Sequence, residues 1–147
     1  MKFMNGSLPS KECRPGSCRS GVVMMGEVIL LSGSALQRLG FLLAAIAVAC
    51  AAAGAHLLAE SLDPSRLHQW EVAARILFWH AIGLWICGTG YPGPGTLMLI
   101  STVIFCGSVF ALALGAPGVL GAVAPIGGFG LIAAWLWLAC LKTRQTP

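Results

Sequence analysis

Charged side chains are scarce in this sequence of 147 residues. Only 10% of the residues are charged and 57% are hydrophobic, whereas a soluble domain carries about 25% charged residues. Between Val72 and Leu141 the only charged residue is Arg75. A small soluble fold exposes too much of its chain to hide such a stretch from water. The scarcity of charge therefore excludes a water-soluble domain and indicates an integral membrane protein.

The sequence also lacks the motifs of the common catalytic and binding chemistries. The apolar stretches contain no pair of carboxylates, and the H-E-x-x-H, phosphate-loop and nucleophile-elbow motifs are absent. The basic residues do not form a stripe with interleaved aromatics, which a nucleic-acid-binding surface would require. We therefore expect no enzymatic activity, no cofactor and no nucleic-acid partner.

Six cysteines are present, but their spacing favours neither disulfides nor a metal site. Cys13 and Cys18 lie in a polar leader, further apart than in C-x-x-C, and no second ligand pair follows them. The other four lie within apolar runs, where a free cysteine behaves as a small hydrophobic residue: Cys50, Cys87, Cys106 and Cys140. We expect reduced thiols and no bound metal.

Four apolar stretches are long enough to cross a bilayer as helices, since a span needs about 20 residues. We predict an all-α, four-helix transmembrane bundle of two helical hairpins within 39–141, with spans at 39–59, 72–89, 96–114 and 119–141. Breaker residues separate the later spans. Trp70, Trp135 and Trp137 lie near predicted span ends, where aromatic side chains anchor helices at the interface.

The segments outside the spans are polar. We expect 1–38 to form a disordered or interfacial cytoplasmic leader, with an interfacial turn at its short apolar run Val28–Leu31, and 142–147 to form a cytoplasmic tail. A cleavable signal peptide is the rival interpretation of the first span. Its apolar run is longer than an ordinary signal core and follows a long leader, which favours a retained helix.

Lysine and arginine residues are concentrated at the two ends of the chain. The leader contains five, the tail contains two, and the first connection contains only Arg66. Cytoplasmic segments of membrane proteins carry the excess of these residues. Four spans place both termini on the same side of the membrane, so we expect both in the cytoplasm.

Four polar side chains in or beside the spans are candidate functional residues, because ionisable groups are costly in lipid. Counted from the predicted span ends, they lie about 5–15 Å inside the outer boundary at 1.5 Å per residue. We refer to them as the predicted polar cluster: His56, Arg75, His80 and Ser108. At the same depth, Pro125 with Gly127 and Gly128 predicts a kink in the fourth span.

Each member of the predicted polar cluster also has an ordinary structural interpretation. Arg75 can extend outward along its helix to Glu71. His56 can be interfacial, and a neutral His80 can be a simple hydrogen-bond partner between helices. Ser108 can donate to the carbonyl four residues before it on its own helix. The sequence leaves both interpretations open.

Four short motifs resemble, in order and spacing, those of a known family. They are Ala51–His56 (AAAGAH), Arg75–His80 (RILFWH), Phe105–Phe110 (FCGSVF), and Ala124–Gly128 (APIGG) with Ala134-Trp135 after it. On these motifs the chain resembles domain-of-unknown-function family 423, small inner-membrane proteins of bacteria, over about residues 39–138. The resemblance implies a multi-pass protein of the bacterial inner (plasma) membrane and no established substrate.

The chain departs from the family pattern at several positions. At three positions the family has a residue with a hydroxyl group, and this chain has a residue without one: Ile76, Cys106 and Ala124. A polar network around the predicted cluster would therefore be sparser in this chain than in its relatives.

Two hypotheses of function follow. The first is a structural or interaction bundle that forms homo-oligomers or supports another membrane protein, because glycines allow helices to approach closely: Gly54, Gly83, Gly107 and Gly121. The second is a transporter or channel subunit for a small solute or proton that uses the predicted polar cluster. In both, the lipid bilayer is the immediate partner.

Overall fold

The computed structural model describes residues 23–25 and 28–141. Two short strands, β1 (Val23–Met25) and β2 (Val28–Leu30), pair in antiparallel register with Met24 opposite Ile29. Four helices follow them: α1 (Gly33–Ala53), α2 (Pro64–Cys87), α3 (Pro92–Ala113) and α4 (Leu120–Cys140). A π-helical turn at Gly54–Leu58 continues α1.

All four helices are long and apolar enough to cross a membrane. The prediction of a helical membrane protein with four spans is therefore confirmed. One part of the leader differs from the prediction: Val28–Leu30 is a paired strand and not an isolated interfacial turn. The rest of the predicted leader up to residue 22 and the predicted tail 142–147 lie outside the described residues.

Two helices begin earlier than the predicted spans because polar caps, not apolar residues, start them. The Ser32 hydroxyl accepts from the Ala35 amide at 3.3 Å, so α1 begins at Gly33 instead of 39. Asp63 accepts from the amides of Ser65 and Arg66 at 3.1 and 3.2 Å, and Pro64 takes the first helical position of α2. Helices α1 and α2 thus extend beyond the predicted spans that start at 39 and 72, to residues 33 and 64.

Asp63, the N-cap of α2, also forms the ion pair that is found among the described residues. Arg66 Nε lies 3.2 Å from Asp63 Oδ2 on the exposed surface. Donation from the Ser65 hydroxyl, followed by the Arg66 amide, lowers the pKa of Asp63 from its ordinary value. Asp63 is therefore ionised, and a carboxylate at a helix N-terminus is favourably placed.

The helices pack in chain order, with α1 on α2, α2 on α3, and α3 on α4. Successive helices are antiparallel, and Gly115, with φ of 95°, makes the reversal after α3. The main buried cluster draws on all four helices: Leu36, Leu84, Cys87, Met98, Leu131 and Ala134. We call the end of the bundle at which α1 begins the proximal end, and the end with the π-helical turn the distal end.

Helices α3 and α4 approach each other closely at Gly127. A methyl group on Gly127 would lie 2.5 Å from the backbone nitrogen of Phe105 and 2.9 Å from its Cα. Neither atom can move without displacing α3. A methyl group on Gly128 would lie 3.7 Å from the Phe105 ring, an ordinary contact. The two neighbouring glycines therefore have different roles, and α4 remains helical across Pro125.

We predict that Gly127→Ala destabilises the protein and Gly128→Ala does not. The first change forces backbone apart and is expected to lower the free energy of unfolding by about 1–3 kcal/mol. The second adds helix propensity without a clash, so its effect should be neutral or stabilising. Denaturant titration in detergent, followed by circular dichroism, measures both. Equal stability of the two variants would contradict the close α3–α4 contact.

Candidate functional site

The predicted polar cluster does not lie at one depth. With α2 starting at Pro64, His80 is about 24 Å from that end and about 10 Å from Cys87 at 1.5 Å per residue. It therefore lies in the proximal half of the bundle. Ser108 is about 8 Å from the distal end of α3 at Ala113. Along the helix axes, His80 and Ser108 thus lie in opposite halves of the bundle and not at the common depth predicted for them.

His80 is buried, with 8% of its surface exposed, and both of its ring nitrogens have partners. Nδ1 lies 2.7 Å from the carbonyl oxygen of Ile76, which can only accept, so Nδ1 carries the proton. Nε2 lies 3.2 Å from Trp135 Nε1, which can only donate, so Nε2 accepts. These two contacts assign a neutral imidazole in the Nδ1-protonated form.

The bond from Trp135 to His80 links α4 to α2. Among residues 31–141 it is the only hydrogen bond between side chains of two different helices. The sequence suggested an interfacial anchor at Trp135 and left the partner of His80 open. The spacing between the two residues gives no signal of this pairing, because it depends on how α2 and α4 are rotated about their axes.

Hydroxyl groups on α3 donate mainly within their own helix. Ser108 donates to the carbonyl of Phe105 at 2.9 Å, three residues back and not four as expected, and buried Thr102 donates to Met98 at 2.7 Å. Thr96 donates to Pro92 at 2.8 Å and accepts from the Leu31 amide at 3.2 Å. Thr96 thereby ties the segment before α1 to α3. Sequence reasoning missed both threonines.

Trp70 is packed between three elements instead of lying free at the interface. Its Nε1 donates to the carbonyl of Cys50 at 2.7 Å, and its ring centroid lies 4.6 Å from that of Phe110. A methyl group on Gly54 would lie 2.9 Å from the Trp70 ring, so glycine leaves the space this indole needs. Trp70 therefore holds the distal halves of α1, α2 and α3 together.

The remaining two members of the predicted cluster, His56 and Arg75, are exposed. His56 lies in the π-helical turn at the distal end. Arg75 lines an open groove of about 660 Å³ between α1 and α2, which we call the α1–α2 groove. Its lining includes Ala47, Ala51, Glu71, Arg75, Phe78 and Trp79.

The four cluster members thus have separate surroundings. His80 contacts Trp135 and its own helix, Ser108 bonds its own helix, His56 is at the distal surface, and Arg75 faces the α1–α2 groove. In the described ranges, no group of three or more His, Cys, Asp or Glu side chains could hold a metal ion. The geometry supports structural roles for the buried members and a surface role for Arg75.

Comparison with known proteins identifies relatives along most of the chain. A family model described as "Protein of unknown function (DUF423)" matches residues 50–128. A UPF0382 membrane protein of Staphylococcus haemolyticus is 36% identical over 107 residues, which cover 68% of this chain and 88% of the relative. The UPF0382 membrane protein YwdK of Bacillus subtilis is 31% identical over 115 residues, which cover 72% and 94%. No solved structure matches the chain.

We predict that Trp135→Phe lowers stability by removing the donor to His80 Nε2. Hydrogen bonds between helices in membranes contribute about 0.6 kcal/mol on average and up to about 1.7 kcal/mol. The expected loss lies in that range, measured by denaturant titration in detergent. Trp137→Phe, on the same helix at an indole that donates no hydrogen bond within residues 31–141, is the matched control and should change stability less. In a His80→Leu background Trp135→Phe should cost less, and an unchanged cost would contradict the pairing.

Proposed function

The chain belongs to the DUF423 family of membrane proteins, and from this premise we propose that it is a non-catalytic bundle of the bacterial inner membrane that acts by assembly. Its partner is a second copy of the chain or another membrane protein. Its known relatives carry names that state a membrane protein and no activity. The proposal therefore depends on which surfaces of the bundle can form contacts.

The interior supports a structural role. Its buried histidine, His80, is neutral and bonded on both sides, and the hydroxyls of Thr102 and Ser108 donate to carbonyls of α3. The alternative of a transport or channel subunit was motivated by a shared polar volume. With Arg75 and His56 exposed and His80 in the other half of the bundle from Ser108, that motivation is lost.

One outer surface of α3 carries the proposal. Ile100 and Val103, with Leu114 at the C-cap, expose more than half of their surfaces there. Gly107 lies among them with its backbone exposed, and a methyl group on it would meet no atom within 4 Å. This makes a notch in an otherwise apolar face, which we call the Gly107 notch. Small residues of this kind let the backbone of a second helix approach closely in a bilayer.

The other glycines of the assembly hypothesis divide into two groups. Gly54 and Gly83 are used within the bundle, against Trp70 and against Met98 and Trp135. Gly121, like Gly107, has open space beside it. The inward glycines thus contribute to the packing of the chain itself, and the outward ones are free for contacts with another molecule.

We predict that Gly107→Leu weakens assembly by about tenfold or more, since the added side chain fills the notch and separates the two backbones. Val103→Leu on the same face adds bulk to an already large side chain and is the matched control. Both are measured as the self-association constant of the labelled chain in lipid vesicles, by energy transfer between donor-labelled and acceptor-labelled copies. For a second membrane protein as partner, co-purification from membranes is the readout.

Assembly through the Gly107 notch predicts different outcomes for the wild type and the variant. The wild-type chain is expected to associate in vesicles or to retain a membrane-protein partner, and only Gly107→Leu to lose that contact. A wild-type chain that stays monomeric in vesicles and retains no partner would contradict it. So would equal association by Gly107→Leu and the wild type.

Lysine and arginine placement supports cytoplasmic termini, because the leader and tail carry most of these residues. We predict that green fluorescent protein fused after Pro147 is fluorescent in bacterial cells, and that alkaline phosphatase at the same position is inactive. Each reporter works on one side of the membrane only. The opposite pair of results would place the C-terminus outside the cytoplasm and overturn this orientation.

A further inference from the structure

Charged and aromatic side chains follow one another in a defined order along the α1–α2 groove. Glu71 lies one helical turn, about 6 Å, closer to the distal end than Arg75. Phe78 and Trp79 lie about 5–6 Å further toward the proximal end. From the distal membrane surface inward, the groove therefore offers a carboxylate, then a guanidinium, then aromatic rings over a floor that includes Ala47 and Ala74.

The depth of this groove follows from its neighbours. The Trp70 ring contacts the Phe110 ring at a tilted angle, and Phe110 is about one turn from the distal end of α3. Arg75 is five residues beyond Trp70 on α2, about 8 Å deeper. An arginine at that depth extends its apolar stem toward the surface and holds its charged head near the lipid headgroups. Arg75 thus lies one helical turn inward of Glu71 in the groove.

Arg75 has no anionic partner within the described part of the chain. No carboxylate oxygen of that part lies within 4.0 Å of it, and the ion pair found there joins Arg66 to Asp63. A cation at a lipid-facing surface must be paired or reach water. A phosphate group is a strong partner, because a guanidinium can donate two parallel hydrogen bonds to it.

We propose that the α1–α2 groove binds a phospholipid whose headgroup carries a primary ammonium group, such as a phosphatidylethanolamine. In such a lipid the ammonium is outermost, the phosphate is next, and the acyl chains point inward. Glu71 accepts from the ammonium, Arg75 donates to the phosphate, and an acyl chain packs against Phe78 and Trp79. The order of groups in the lipid is the order of groups in the groove.

The lipid is favoured over a second protein chain as the occupant. Trp79 is 58% exposed at the wall of the groove, so the groove is open to the bilayer, where lipid is always in contact with it. One lipid molecule satisfies both charges. This site is separate from the Gly107 notch on α3, so neither proposal depends on the other.

The experiment is native mass spectrometry of the full chain in detergent, after removal of endogenous lipid. Phosphatidylethanolamine and phosphatidylglycerol with identical acyl chains are added in equal amounts. The wild type is expected to bind the ethanolamine lipid with at least about tenfold preference. Glu71→Gln should abolish the preference while phosphatidylglycerol still binds. Arg75→Gln should weaken binding of both lipids about tenfold, and Arg75→Lys should restore most of it.

Arg66→Gln is the matched control, since it removes a cation of the same helix that is already paired with Asp63, and it should leave lipid binding unchanged. Circular dichroism verifies that each variant is folded. Equal binding of the two lipids by the wild type, or unchanged binding by Arg75→Gln, would overturn the proposal. So would loss of self-association in vesicles by Arg75→Gln without any change in lipid binding, which would assign the groove to a second copy.

Discussion

The central constraint on this protein is that hydrocarbon cannot form hydrogen bonds. Every polar group inside the membrane must therefore find a partner within the chain. In the part of the chain that the structure describes, no buried side-chain nitrogen or oxygen lacks a partner. Thr102 and Ser108 meet this requirement within α3, and His80 meets it by joining α2 to α4. Of these three residues, only His80 therefore fixes one helix against another.

Because hydrocarbon is as apolar as the helix surfaces, the hydrophobic effect does little to bring helices together in a membrane. Close packing between the helices must stabilise the bundle instead. The glycines of α1 and α4 provide that packing where they meet a neighbouring backbone. Gly127 lies against the backbone of Phe105, and Gly40 against the carbonyl of Ala81, both without room for a methyl group. Gly107 has no neighbour within the bundle. The backbone of another molecule can therefore approach closely at this position.

Sequence reasoning recovered the membrane class and the number of spans, because these depend on how many apolar residues occur in a row. It recovered the family from four short motifs in the right order. It placed the start of α2 too late, since Asp63 and Pro64 begin the helix in a polar segment that hydropathy does not recognise. Along the whole length of α2, His80 lies in the proximal half of the bundle. The pairing of Trp135 with His80 could not be predicted, because helix rotation is set by side-chain shapes across the whole interface.

The claim on which all of this depends is that four helices cross the bilayer in alternating directions. The most direct test introduces single cysteines at Gly90 and Gly118, exposed positions in the α2–α3 and α3–α4 connections, in a variant without native cysteines. Intact cells and inverted vesicles are then labelled with a membrane-impermeant maleimide. The account predicts that the two positions react from opposite sides of the membrane. Labelling of both from the same side would contradict it.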